Sequence, residues 1–372
     1  MDNQTYRWRS SCLLLVLLFF VVGAAQAKAD VPMEYEEYRS QLELEYFIPF
    51  IMYDGSFHAA TYGKMSSILR DQELDFVLFA QGEERINLVV GYTYHAPYWS
   101  YGLNFYEMPV YTGLPWGLGF WEQQTGISLL ASRHFTNEDR LDLRMQLEDF
   151  YPLNDFRYPV DDASLFGVEA TLTHDDFSFL RQVGARRYFS LGGAYPFFGT
   201  DYKNIKVEGD YRRYWSGERT SLILSGRTGK IWGSYPAHRG FALGGIQQVS
   251  ISSLGTLTNQ GLLGALADSV LRGYPAYRYR GDGFVLTNLE LRFLAWPRSY
   301  QQRRSVAFSL GAFADAAWVW DGNQRISDNP SVGVGFGFRF FLAGLNIGFD
   351  YAIPLNTEDG KPRWHFSLGE VF

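Results

Sequence analysis

Apolar and polar residues alternate along this chain with a period of two, in short segments separated by turn-forming residues. In Leu141-Asp142-Leu143-Arg144-Met145-Gln146-Leu147-Glu148 every odd position is apolar and every even one polar or charged. The stretch from Ile205 to Arg212 largely repeats the scheme, and Ile86, Leu88, Val90, Tyr92 and Tyr94 line one face opposite Asn87, Gly91 and Thr93. From Val306 to Trp320 the even positions form an unbroken apolar row. Successive side chains of a β-strand point to opposite faces, so each segment has a greasy side and a wetter one. The pattern predicts about sixteen strands: near 42–53, 72–80, 86–95, 100–107, 125–135, 140–149, 164–174 and 186–194, then 203–214, 218–231, 239–247, 283–294, 304–320, 330–342, 345–355 and 363–372. Several reach the roughly 9–11 residues that a strand needs to span a bilayer. Open sheet edges do not survive in lipid, so such strands must close into a barrel. The expected fold is therefore all-β, a transmembrane antiparallel β-barrel with the even strand number usual for single-chain outer-membrane barrels.

Composition separates this reading from a soluble sandwich, which also alternates. The chain is 17% aromatic, with 25 Tyr, 30 Phe and 10 Trp, and contains 38 Gly. Membrane barrels use such rings as girdles at the two interfaces. The net charge of −7 argues against nucleic acid as a partner. At the start, Arg7 and Arg9 precede the ten apolar residues Leu13 to Val22, and AQA at 25–27 has the form of a cleavage site. Residues 1–27 read as a cleaved signal peptide, because the apolar run is too short to cross a bilayer as a helix. The single cysteine, Cys12, would leave with it, so neither a disulfide nor a thiolate metal site is expected. Residues 28–40 make a short periplasmic lead-in, too short for a folded module. Residues 41–372 are then the barrel.

Catalytic chemistry is sparse. There is no GxSxG elbow, and the six histidines lack metal-ligand spacing. Ser132 and His134 share a strand face, but it is the face opposite Ile127, Leu129 and Phe135, hence lumenal. His174-Asp175-Asp176 lies beside a turn and reads as a solvated loop. Gly333, Gly335 and Gly337 fall on one face of a strand, where they would leave room inside the barrel. No enzyme, cofactor or metal is expected.

Specific motifs cluster in the last 130 or so residues. Phe241-Ala242-Leu243-Gly244-Gly245 is followed by LRGY at 271–274, GDGFVLTNLELRF at 281–293, GAFADAAWVWD at 311–321, SVGVGFGFRF at 331–340, and NIGFDYAIPL before the terminal HFSLGEVF. In this order they resemble the barrel of the BamA/TamA superfamily of outer-membrane assembly and secretion proteins. The resemblance implies that the loop before the twelfth strand, 246–280, folds into the lumen. Its tip, Arg272, Gly273 and Tyr274, would dock on the wall through an ion pair with Glu290 or Asp315. Strand parity agrees. If Val285, Thr287, Leu289, Leu291 and Phe293 face lipid, Glu290 and Arg292 face the lumen, and Asp315 faces it opposite the row from Val306 to Trp320. The ending, with Trp364, Phe366, Leu368 and Phe372 on one face, resembles the signal by which outer-membrane barrels are recognised for assembly.

By the same resemblance the expected location is the Gram-negative outer membrane, and the expected role is membrane biogenesis or translocation of protein or lipid. Members that assemble or secrete proteins carry periplasmic POTRA domains before the barrel, and none is expected here. The partners would be outer-membrane lipid and a separate periplasmic protein or client polypeptide. A plain pore or structural barrel is the alternative.

Overall fold

The computed structural model describes residues 41–53, 57–81, 85–113, 119–153, 162–178, 182–200, 202–245, 270–297, 306–322, 324–326, 329–342, 345–356 and 360–368. The expected signal peptide, the lead-in and Phe372 lie outside the described residues. So does most of the loop 246–280.

Among the described residues, sixteen long strands form one antiparallel sheet in which each pairs with its neighbours in sequence, and the two-residue strand Gln324–Arg325 adds a short pairing to Val306–Asp321. They are β1 (Leu42–Tyr53), β2 (Phe57–Ser67), β3 (Gln72–Gln81), β4 (Arg85–His95), β5 (Trp99–Gly113) and β6 (Gly119–His134). Next come β7 (Asp139–Pro152), β8 (Ala163–Asp175), β9 (Gly184–Ala194), β10 (Asn204–Ser216) and β11 (Thr220–Gly233). The ladder ends with β12 (Gly283–Trp296), β13 (Val306–Asp321), β14 (Ser331–Leu342), β15 (Leu345–Pro354) and β16 (Arg363–Leu368). A meander with an even number of strands brings the start of β1 and the end of β16 to the same end.

The two-residue period sorts the side chains. On β12 the inward positions Phe284, Leu286, Asn288, Glu290, Arg292 and Leu294 are buried, whereas Leu289, Leu291 and Phe293 project outward and are exposed. On β13, Phe313, Asp315, Ala317 and Val319 are buried, with Leu310 and Val306 outside. The outer surface is a greasy one suited to lipid, and the inner one is polar and crossed by hydrogen bonds. This is a transmembrane β-barrel.

Two strand assignments differ from the sequence pattern, and they cancel in the count. The segment 57–67 gave no alternation but forms β2, paired along its length with β1 and β3. By parity its outward positions include Thr61, Gly63 and Met65, of which only Met65 is strongly apolar, so the contrast that marks a strand is lost. Conversely, the described part of 239–247, up to Gly245, is not a barrel strand. Among its described residues Phe241–Leu243 is the extended part, and it pairs with Tyr279–Gly281 as a short separate ribbon. Phe241 lies against inward-facing Phe284, with ring centroids 4.8 Å apart, and Leu243 is fully buried. Its alternating apolar residues pack inside the barrel, where a local pattern looks the same as one facing lipid.

Candidate functional site

The connection between β11 and β12 enters the lumen. Gly245 and Leu271 meet in an isolated antiparallel bridge, so the described ends of the loop lie side by side. Leu243, Leu271 and Tyr274 form an apolar cluster with Phe284 and Leu286 of β12 and with Ala317 and Val319 of β13. Burial of this cluster carries the loop to the wall and places Arg272 at mid-strand height.

Arg272 is completely buried. Its Nε donates to Asp315 Oδ2 and its Nη2 to Asp315 Oδ1, both at 2.8 Å, a two-pronged pairing with one carboxylate. The backbone N–H of Arg272 also donates to Asp315 Oδ2, at 2.9 Å. Nη1 donates to Glu290 Oε2 at 2.7 Å and lies 3.6 Å from Asp350 Oδ2. The guanidinium carbon sits 3.4 Å from the centre of the Phe313 ring, adding a cation–π contact in a water-poor setting. Around it, Arg292 Nε donates to Glu290 Oε1 at 2.6 Å, and Arg339 bridges Asp350 (2.7 Å) and Glu290 (3.1 Å). Three arginines thus face three carboxylates. Buried charges are expensive to desolvate and are tolerated when paired and hydrogen-bonded throughout. The balance explains how six ionic side chains share one buried site.

The next two residues complete the dock. Gly273 has φ +93°, and a side-chain carbon there would lie 3.0 Å from the backbone nitrogen of Pro354, so both the conformation and the close approach call for glycine. Its N–H donates to Nε2 of His365 at 2.9 Å. Tyr274 is fully buried, and its hydroxyl donates to the Val332 carbonyl oxygen at 3.2 Å. The tip therefore touches β12 through Glu290, β13 through Asp315, β15 through Asp350 and β16 through His365, while Arg339 of β14 closes the network.

The sequence matches the Omp85 superfamily domain over residues 25–372. The chain belongs to the Omp85 superfamily. BamA from Haemophilus ducreyi, in a form lacking POTRA domains 1–3, is similar in structure, with a TM-score of 0.63 at 14% identity over 89% of this chain and 70% of that one. CdiB from Escherichia coli aligns with a TM-score of 0.52 at 12% identity, over 90% of this chain and 67% of that one. CdiB from Acinetobacter baumannii gives 0.51 at 12% identity, over 88% of this chain and 58% of that one. No curated protein matches the sequence at a significant level.

In this Omp85 barrel the structure brings together all five lumenal residues that the sequence points to: Arg272, Gly273, Tyr274, Glu290 and Asp315. It adds Asp350, Arg339, His365 and Phe313, which the sequence pattern does not single out. Parity is an available signal for the first three. Arg339 shares a face with Gly333, Gly335 and Gly337, and Asp350 and His365 are polar positions on the final strands, facing each other across the β15–β16 ladder. The three glycines do leave room. A side-chain carbon at Gly333 would collide with the Arg272 carbonyl oxygen, and one at Gly337 with the Asp350 carboxylate. Of the residues resembling an assembly signal, Trp364 and Phe366 point outward and are 63% and 52% exposed. Leu368 ends β16.

The loop has a second hold at its other root. Arg239, beyond β11, reaches Glu148 of β7 at 2.6 Å and Glu122 of β6 at 3.0 Å, and its guanidinium lies over the Phe150 ring at 4.7 Å. His238 packs edge-on between Phe120 and Phe150. β6–β7 and β12–β15 are about half the circumference apart, so the two described roots of the loop are held to opposite walls. The remaining candidates make strand and turn contacts. Ser132 is buried and donates to Asp142 at 2.6 Å, and His174 pairs with Asp139 at 2.8 Å near the turns. Among the described residues no group of three or more His, Cys, Asp or Glu is placed to hold a metal.

Proposed function

We propose that this Omp85 barrel works in the Gram-negative outer membrane, in membrane biogenesis or in translocation of protein or lipid. The working part in this reading is a seam between β1 and β16, braced from inside by the docked loop. The observation that carries it is the position of the dock. A single buried arginine ties the lumenal loop to Asp315 of β13 and approaches Asp350 of β15, and Gly273 reaches β16 itself through His365. A last strand held from the lumen suits a seam that opens while the rest of the barrel stays paired, and an extended client segment could add there by strand pairing. The chief partners are then membrane lipid and a polypeptide, either a client or a periplasmic helper.

Cysteine pairs placed between Leu42–Tyr53 and Arg363–Leu368 test this. Oxidised pairs that lock the seam are expected to abolish complementation of a deletion strain while the barrel still folds, and reduction should restore it. A locked barrel that complements fully would defeat the seam reading. Conductance separates it from a plain pore. The intact protein in a planar bilayer should conduct weakly or flicker, and deletion of residues 246–280 should raise the conductance several-fold. A large steady conductance in the intact protein would favour the pore.

A further inference from the structure

The lumen is filled from both ends. The loop between β11 and β12 enters from one. From the other, where β1 begins and β16 finishes, the described residues of the turn between β8 and β9, 176–178 and 182–183, bend inward. Its Ser178 and Val183 form an antiparallel bridge. Gln182 has no exposed surface and stands at φ +55°, an uncommon conformation for a residue other than glycine. Turns normally run over the surface with their polar groups in water. Here the burial is offset by specific partners. The Gln182 carbonyl oxygen accepts from Ser216 Oγ of β10 at 2.7 Å, and its side-chain Oε1 accepts from Nη1 of Arg292 at 3.3 Å.

This turn reaches the Arg272 dock by two routes. The polar route runs from Gln182 to Arg292, from Arg292 to Glu290 and from Glu290 to Arg272, each step a direct contact. The apolar route runs through Phe177, whose ring lies 4.1 Å from that of Tyr214 and packs on the cluster of Tyr214, Ile223 and Val270. Val270 lies two residues before Arg272, and its carbonyl oxygen accepts from Asn288 Nδ2 of β12 at 2.9 Å. The turn thus packs on the cluster that includes Val270 of the loop and contacts the acid network that holds the arginine.

We propose that the β8–β9 turn is the release element of the lumenal loop. With the turn tucked in, Phe177 supports Val270 and Gln182 orients Arg292, so Glu290 stays aimed at Arg272. Drawing the turn out of the lumen removes both supports and frees the Arg272 tip. A polypeptide that binds at this end of the barrel would act on the dock by pulling this turn. That last step rests on the proposed function, whereas the coupling between turn and dock does not.

The test uses the full chain with Cys12→Ser, reconstituted in phospholipid vesicles, with Ala276→Cys near the tip as the reporter and a membrane-impermeant maleimide as the probe. Gln182→Ala and Phe177→Ala are each expected to speed labelling about tenfold, within the usual range of coupling between sites. Glu218→Ala, in the exposed β10–β11 turn at the same end, should leave the rate unchanged. Arg272→Ala reports the undocked tip. Because one pathway is involved, Gln182→Ala combined with Arg272→Ala should label no faster than Arg272→Ala alone. Wild-type rates in both turn variants, with a fast Arg272→Ala, would overturn the coupling and leave the dock standing. Multiplicative effects in the double variant would overturn it equally. Unchanged labelling in Arg272→Ala would sink the docked-loop reading together with the coupling. Should Phe177→Ala fail to fold, Gln182→Ala, which removes only the polar route, decides the matter.

Discussion

Arg272→Ala is expected to destabilise the barrel by about 3–5 kcal/mol, the usual cost of leaving a buried charge without its partner. The wild-type site pairs three arginines with three carboxylates. Without Arg272, Asp315 loses two guanidinium hydrogen bonds and a cationic partner while remaining fully buried. Glu290 keeps Arg292 and Arg339, so the damage should centre on β13 and on the tip itself. The measurement is the temperature at which detergent-purified protein loses its compact, heat-modifiable migration on gels, with circular dichroism as a second reading. Arg272→Lys should recover only part of the loss, because a single ammonium cannot present two parallel N–H groups to Asp315 while also reaching Glu290. A wild-type transition in Arg272→Ala would reduce these residues to ordinary charges of a wet lumen.

Gly333→Ala should produce a loss of similar size by a different route. The added carbon would occupy the place of the Arg272 carbonyl oxygen. β14 cannot yield, since Gly333 is paired with Asp315 on one side and with Pro354 on the other. The tip must therefore lift, giving up its ion pairs. Overpacking alone typically costs about 1–3 kcal/mol, and loss of the dock adds to it. Combining Gly333→Ala with Arg272→Ala should cost little more than the worse of the two, because both break the same contact. Gly226→Ala is the control. It lies on a barrel strand with open space around the would-be side chain, and it should leave the transition unchanged. If Gly333→Ala behaves like Gly226→Ala, the close approach of the tip to β14 is not a feature of the working protein.

Much of the dock is legible in the amino-acid sequence alone. The family resemblance marks Arg272, Glu290 and Asp315, and strand parity places both acids on the lumenal side. Asp350, Arg339 and His365 carry no such mark, although parity places them inward as well. Facing inward is a property of one strand, but meeting Arg272 depends on how five strands curve around it. The β8–β9 turn is illegible for a similar reason. Nothing in Phe177 or Gln182 distinguishes a turn that bends into a lumen from one that stays in water. The contact from Arg239 to Glu148 joins residues 91 apart in sequence, one in the connection beyond β11 and the other on the β7 wall.

The sequence by itself determined that this protein is a membrane barrel and which side of most strands is wet, because a two-residue period is written locally and needs no partner to be read. Only the tertiary structure decided that 57–67 is a barrel strand and 241–243 a lumenal ribbon. The first is small and weakly apolar on its lipid side, and the second buries its apolar side against protein, so neither environment leaves a local mark. The tertiary structure also decided that the lumen is entered from both ends and that the two intrusions share the ion-pair network around Arg272. Such meetings are set by the barrel's closure, which brings distant side chains to within hydrogen-bonding distance.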